Sequence, residues 1–253
     1  MTATDLLSRA AENLEETYGA IGRATPGARV RDYGAAIVCL CDLDHPVGNF
    51  ALCRVTDGKL FSHLARLART RSAFHAYVSP IPEQDHLEQT LHDAGFQCVY
   101  RLSQLAAAGS ASESPIQLVE AVDSDSRRRI AQFMAGQFFA RHGKCVREAV
   151  ATATSESGLS LYEFSSDGAA VGAVMLCRTE GLLGIYSLCI EASRRGKGLG
   201  SEAVRALMDA AHREGREAVL QCDPSLVAWY ERLGFRESGY VSVLSLENRK
   251  DAR

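Results

Sequence analysis

Apolar residues recur at helical spacing over positions 4–21. Leu6, Leu7, Ala10, Leu14, Tyr18 and Ile21 form one stripe, while Asp5, Glu12, Glu15 and Glu16 lie mostly off it, which predicts an amphipathic helix. Beyond Pro26-Gly27 the pattern tightens. Residues 29–43, holding the apolar run 35–41, predict a strand, and 49–55 a second one after the loop Asp44-His45-Pro46-Val47-Gly48. Asp57 is placed to cap a helix over 60–70 that turns Leu60, Leu64 and Leu67 inward. A strand at 74–78, a helix at 83–93 ending before Gly95, and a strand at 97–105 complete this half. Residues 106–115 (AAAGSASESP) are small, polar and proline-terminated, so they read as a connection. The predicted division is a unit at 1–108, a linker at 109–115 and a second unit at 116–253.

The second half starts with a strand at 116–122, and Asp123 or Ser124 can cap the helix that follows. That helix carries Ile130, Phe133, Met134, Phe138 and Phe139 on one stripe, suited to core packing or, at its far end, to a pocket wall. A helical piece at 146–153 precedes strands at 159–164, 170–178 and 182–190, with turns at Asp167-Gly168 and Glu180-Gly181. Ala203, Val204, Leu207, Met208 and Ala211 then recur at helical spacing, and 218–222 and 240–246 read as strands. The predicted class is α/β (α+β): a mixed, mostly antiparallel, twisted sheet flanked by helices.

Composition narrows the function more than the fold. The 253 residues are 46% hydrophobic and 23% charged, with a net charge of −3, as in ordinary globular chains. No basic run exceeds three residues, so no nucleic-acid partner is expected. No apolar stretch approaches the ~18 residues of a membrane span. The first residues, MTATDLLSRAAENLEE, lack a signal core, so no membrane partner and a cytoplasmic location are expected. The eight cysteines, at 39, 41, 53, 98, 145, 177, 189 and 222, contain no C-x-x-C and read as reduced and buried, with no metal.

The chemistry concentrates between Leu182 and Phe235. The apolar run 182–190 feeds Arg195-Gly196-Lys197-Gly198-Leu199-Gly200, which opens a helix. Glycines there let an anion approach the N–H groups that the first helical turn leaves unpaired, and Arg195 and Lys197 add positive charge. The spacing is neither G-x-x-x-x-G-K-[ST] nor G-x-G-x-x-G. Arg195, Gly198 and Gly200, spaced R-x-x-G-x-G, together with the segment from Ala228 through Tyr230-Glu231 to Leu233-Gly234-Phe235, resemble the GNAT (Gcn5-related N-acetyltransferase) superfamily. The first half resembles the N-terminal modules of tandem GNAT proteins. It carries Pro46-Val47-Gly48-Asn49-Phe50, and Ala94-Gly95-Phe96 is a pale copy of Leu233-Gly234-Phe235. It lacks the glycine cradle, so it is read as a degenerate, smaller GNAT-like α/β domain that does not bind CoA.

The resemblance implies an acetyl-CoA-dependent N-acetyltransferase acting on a primary amine of a small molecule or peptide. It implies that backbone groups of Leu188, Cys189 and Ile190 pair with the pantetheine arm. The N–H groups from Arg195 through Gly196, Lys197, Gly198, Leu199 and Gly200 to Ser201 take the pyrophosphate. Tyr230 is the candidate general acid, since a phenol near ~10 stays protonated at neutral pH and outlasts a thiol near ~8.5; the alternative is a packing or positioning tyrosine. Asp223 and Ser225 are cofactor-contact candidates, although Asp223-Pro224 also reads as a helix cap. No carboxylate stands on the strand before the cradle, so Tyr186, Glu163 and His142 are the remaining candidates for a base. A second reading is an inactive acyl-CoA-binding or regulatory module. A third gives the N-terminal half a role as a lid or a homodimer contact.

Overall fold

A computed structural model describes residues 3–71 and 73–246. The helices are α1 (Ala3–Ala24), α2 (Gly58–Ala68), α3 (Gln84–Asp93), α4 (Ser124–Phe138), α5 (Lys144–Glu156), α6 (Leu199–Arg213) and the short α7 (Val227–Glu231). The strands are β1 (Arg29–Asp32), β2 (Ala36–Leu40), β3 (Phe50–Cys53), β4 (His75–Val78), β5 (Phe96–Ala108), β6 (Gln117–Glu120), β7 (Ser160–Ser166), β8 (Ala169–Thr179), β9 (Leu182–Ile190), β10 (Glu217–Cys222) and β11 (Arg236–Leu246). They form one sheet in the order β1-β2-β3-β4-β11-β5-β10-β9-β8-β7-β6. Only β3–β4 and β9–β10 are parallel. The class is therefore the expected mixed, mostly antiparallel α/β arrangement.

The two halves of the chain exchange strands. β5, from the first half, lies between β10 and β11, from the second, pairing Leu105 with Leu220 on one side and with Glu237 on the other. β11 in turn reaches into the first half and pairs Ser242 with Val78 of β4. The connection after β5 runs along α6: the Ser110 N–H donates to the Met208 carbonyl at 3.2 Å, and the Ser114 hydroxyl to the Glu202 carbonyl at 2.9 Å. A Cβ at Gly109 would sit 2.3 Å from the His212 nitrogen, so this close approach needs glycine.

Alternation along the strands divides the core between the two faces. Met175 and Cys177 pack with α1, α4 and α5 through Leu14, Ile130 and Ala151. Val174 and Leu176 pack with α6 through Val204 and Leu207. α2 and α3 cover the remaining part of that second face, over Ala51, Ala76 and Leu244. The first-half helix α1 is thereby docked on second-half strands. Buried Asn13 donates to the Cys177 carbonyl at 3.1 Å and to the Thr179 hydroxyl at 2.8 Å, and it accepts from the Tyr186 hydroxyl at 2.8 Å. A Cβ at Gly184 would come within 2.0 Å of the Asn13 amide oxygen.

Three local expectations need correction. Residues 29–43 form a hairpin of two strands, not one: Gly34 turns with φ +76° and its N–H is held by the Asp32 carboxylate at 2.8 Å. The last strand starts at Arg236 rather than 240, because β5 supplies a pairing edge that a polar start does not advertise. Of the eight cysteines, Cys98 and Cys145 are exposed; the other six are buried and none is bonded to another.

Candidate active site

The turn before α6 is shaped by its glycines. Gly196 and Gly198 adopt φ of +76° and +80°, conformations that L side chains enter only with strain. Gly198 caps α6 without any side-chain acceptor. The N–H of Arg195 bonds the Ala192 carbonyl and that of Ser201 bonds the Gly198 carbonyl. Among the described residues, the N–H groups of the five residues from Gly196 to Gly200 have no backbone or side-chain acceptor. Of the N–H groups from Arg195 to Ser201, the two at the ends are thus engaged within the protein. Arg195 braces the turn, donating through Nε to the Ile190 carbonyl at 3.0 Å and through its terminal nitrogen to Gln137 at 2.8 Å. Lys197 is exposed. Trp229 lies beneath, 3.6 Å from where a Cβ on Gly200 would stand.

Beside the cradle the sheet opens. β9 pairs with β10 only from Leu182 to Ile185, although β9 continues to Ile190. The parting coincides with a bulge in β9, where two residues oppose one of β8 between Tyr186 and Cys189 and Ser187 takes φ +50°. Cys189 pairs toward β8 opposite Ala173, and the Glu191 N–H donates to Val171 of β8. Alternate residues of a strand direct their backbone groups to opposite sides, so Leu188 and Ile190 face the gap and Cys189 does not. The Cys189 thiol is buried against the Ala173 carbonyl, and burial pushes it up to about 12, which makes it inert.

Tyr230 stands on α7, packed on the α6 side of the sheet. Its ring is buried against Trp229, Phe235 and the α6 core, with centroids 4.5 and 5.5 Å from the first two. Burial, with a smaller contribution from Cys222, pushes its phenol up to about 12. Among the described residues the hydroxyl has no hydrogen-bond partner, yet it is not a sealed, buried atom. Asp223 and Ser225 satisfy each other: the Asp223 carboxylate accepts from the Ser225 N–H at 2.9 Å and from its hydroxyl, which holds the carboxyl below its ordinary range. This is the cap at a short turn that Asp223-Pro224 foreshadowed.

A cavity of about 460 Å³ opens where β9 and β10 part, on the opposite face of the sheet from α6. Tyr186, Ser187 and Gln221 border it at the gap; Tyr18 of α1, Tyr77 of β4 and Phe139 after α4 line it farther out. The phenol of Tyr77 is within hydrogen-bonding reach of those of Tyr18 and Tyr100. The loop of Pro46-Val47-Gly48-Asn49-Phe50 forms another wall. Buried Asn49 pins that loop, donating to the Leu43 carbonyl at 2.5 Å and accepting from the Cys41 N–H at 3.2 Å. His45, at its start, packs edge-on to Phe139 and His142, with centroids 5.1 and 4.9 Å away. No sequence signal marked His45, Tyr77 or Tyr100, because the chain segments that bring them together are far apart.

The base candidates separate clearly. Glu163 is paired with Arg129 and borders a different recess under α4. The Tyr186 phenol donates to Asn13, and burial raises it far above its ordinary value. His142 is exposed at the cavity rim beside His45. Burial, with help from His142 and His75, depresses His45 to about 4, and its Nδ1 accepts from the Val47 N–H at 3.1 Å. His45 is therefore neutral near pH 7. Because its folded value lies below the ordinary 6.5, the unfolded chain binds the extra proton between about 6.5 and 4. Stability is expected to fall by about 1–3 kcal/mol as pH drops through that window. Denaturant midpoints at pH 7.5 and 4.5 should differ less in His45→Gln than in the wild type; equal differences would show that His45 is not the group concerned.

Comparison with known proteins bears on this geometry. Residues 127–235, which hold the bulge, the gap, the cradle and Tyr230, match the family model described as "Acetyltransferase (GNAT) family". The chain is 38% identical over 56 residues to a probable glucosamine 6-phosphate N-acetyltransferase 2 of Oryza sativa subsp. japonica, covering 22% of this chain and 34% of that one. It is 37% identical over 68 residues to an aminoglycoside N(6')-acetyltransferase type 1 of Klebsiella pneumoniae, covering 25% and 34%. The matched segments thus span about a third of those relatives. The fold likeness is far longer. A GCN5-related N-acetyltransferase from Kribbella flavida superposes with a TM-score of 0.66 at 17% identity, covering 96% of this chain and 97% of that one. A tandem GNAT protein from the clavulanic acid biosynthesis pathway superposes with 0.55 at 15% identity, covering 96% of each. The GNAT fold therefore spans both halves. Among the described residues no group of three His, Cys, Asp or Glu side chains could hold a metal ion, and no helix is long and apolar enough to cross a membrane.

Proposed function

We propose that this protein transfers the acetyl group of acetyl-CoA to a primary amine, with its reaction centre at the parting of β9 and β10. The observation that carries this reading is the row of unpaired N–H groups from Gly196 to Gly200, standing beside backbone of Leu188 and Ile190 that no strand covers. The cradle fits a pyrophosphate: it offers several donors, a helix N-terminus and no Cβ in the way. The strand edge fits an amide-bearing arm, which would bond backbone to backbone as an added strand does. The helix after β3 in the first half starts differently. The N-terminus of α2 is capped by the Asp57 carboxylate, which accepts from the Lys59 and Leu60 N–H groups and would repel an anion.

Acetyl-CoA supplies the acyl group as a thioester. The chain holds it through main-chain donors, so Lys197→Ala should weaken binding only a few-fold. Tyr230 presents a phenol that stays protonated across the working pH range. At about 12 it lies some three to four units above an ordinary thiol near ~8.5, so it donates a hydrogen bond to developing sulfur charge and yields its proton late. Tyr230→Phe keeps the packing and removes only the hydroxyl. We expect kcat to fall about 10- to 100-fold while the calorimetric Kd for acetyl-CoA changes less than about threefold. Equal turnover by both proteins, followed by release of free thiol with an amine panel, would remove Tyr230 from the chemistry.

A further inference from the structure

Resting on the proposed acetyl transfer, we propose that the cavity beside the gap is the acceptor site, and that it selects a primary amine carried on an uncharged, largely apolar and aromatic-compatible body. The cavity begins at Tyr186, Ser187 and Gln221, where β9 leaves β10, so an amine seated there faces the gap that the donor arm would fill. At about 460 Å³ it lies within the range of small-molecule pockets.

The choice of substrate class follows from the wall. None of its 18 lining residues is Asp, Glu, Lys or Arg. Several of its polar groups are already engaged within the protein. The Thr17 hydroxyl donates to the Asn13 carbonyl, the Tyr186 hydroxyl to the Asn13 amide oxygen, and the Gln221 amide to Gln104. His45 is neutral and its Nδ1 is held by Val47. What remains toward a ligand is mainly ring and alkyl surface, from Ile21, Phe50, Phe139, Val150 and Met175, together with the phenols of Tyr18, Tyr77 and Tyr100 and the hydroxyls of Ser187 and Thr154. A polycation would leave its charges unpaired there, and a phosphorylated sugar would bury an anion without a cation. An aromatic ring meets edges and faces of its own kind, and a lone hydroxyl can join the phenols.

Just over half of this wall lies outside the matched family segment. Ten of the 18 lining residues precede residue 103, whereas the family match begins at residue 127. The Pro46–Phe50 loop and α1 thereby acquire a function as walls of the acceptor site.

The test compares 2-phenylethylamine, spermidine, kanamycin and glucosamine 6-phosphate at fixed acetyl-CoA. It is run beside calorimetry of acetyl-CoA alone and of each amine with the CoA-loaded protein. We expect 2-phenylethylamine to show at least tenfold higher kcat/KM than the other three and measurable binding. Val47→Glu, a partly buried loop position, should lower its kcat/KM at least tenfold and narrow the gap to spermidine, with acetyl-CoA binding unchanged. Preference for kanamycin, spermidine or the sugar phosphate with intact acetyl-CoA binding overturns this inference alone. Absent acetyl-CoA binding overturns the acetyltransferase reading beneath it. An indifferent Val47→Glu, checked for folding by its acetyl-CoA affinity, places the acceptor elsewhere.

Discussion

Replacing Gly198 by glutamate is expected to weaken acetyl-CoA binding more than about 100-fold, enough to abolish a measurable calorimetric signal. Two effects add. The residue sits at φ +80°, where a side chain with a Cβ costs roughly 1–2 kcal/mol. A carboxylate there also lies at the mouth of the N–H row that is to hold the pyrophosphate, and it can itself occupy those donors as a cap. Open space around the position separates the effects: a Cβ on Gly198 would meet nothing within 4 Å, so the first carbon of the new side chain meets no clash. Gly198→Asn provides the control, since asparagine tolerates the left-handed region and carries no charge. It should bind within about fivefold of wild type. Equal loss in both variants would attribute the effect to backbone conformation and remove the anion argument.

The second large effect concerns the first half of the chain. Residues 116–253 alone are expected to be insoluble or unfolded, without native near-UV circular dichroism, because deleting 1–115 removes β5 from between β10 and β11. Leu105 and Leu14, both at most 2% exposed, are lost with it, as is the α1 cover over Met175, Cys177 and Tyr186. A buried leucine truncated to alanine already costs about 2–5 kcal/mol, against a total stability of about 5–15 kcal/mol. Co-expression of 1–115 with 116–253 should restore a soluble complex. A soluble, cooperatively unfolding 116–253 fragment would refute the claim that the exchanged strand is required.

The glycine turn before α6 was legible because its signal is local. Arg195, Gly198 and Gly200 announce a turn that only glycines allow, and Tyr230 follows at a fixed interval on the next helix. The helices were legible through their stripes and caps, as at Asp57 and Asp123, whose carboxylates do accept the first N–H groups. Strand partners were not. β5 reads as an ordinary apolar run, and nothing in Phe96–Ala108 says that its neighbours start more than a hundred residues later. The same non-locality hid the acceptor cavity, since Tyr18, Tyr77, Phe139 and Tyr186 become neighbours only across the exchanged sheet. Ser187 escaped notice for another reason. Its positive φ is imposed by the bulge, and serine carries none of the conformational signature of glycine there.

The position of β11 also orders events during synthesis. It lies near the middle of the sheet, between β4 and β5, yet it follows every other described strand along the chain. A ribosome making this protein from its N-terminus releases ten strands before the one that joins the two halves. Until residues 236–246 emerge, β4 and β5 each present an unpaired edge to an empty central slot, the kind of edge that recruits strands from other chains. The nascent protein thus passes through a stage at which both halves are nearly complete and neither can close. Such a chain depends on prompt completion or on a chaperone that shields those two edges.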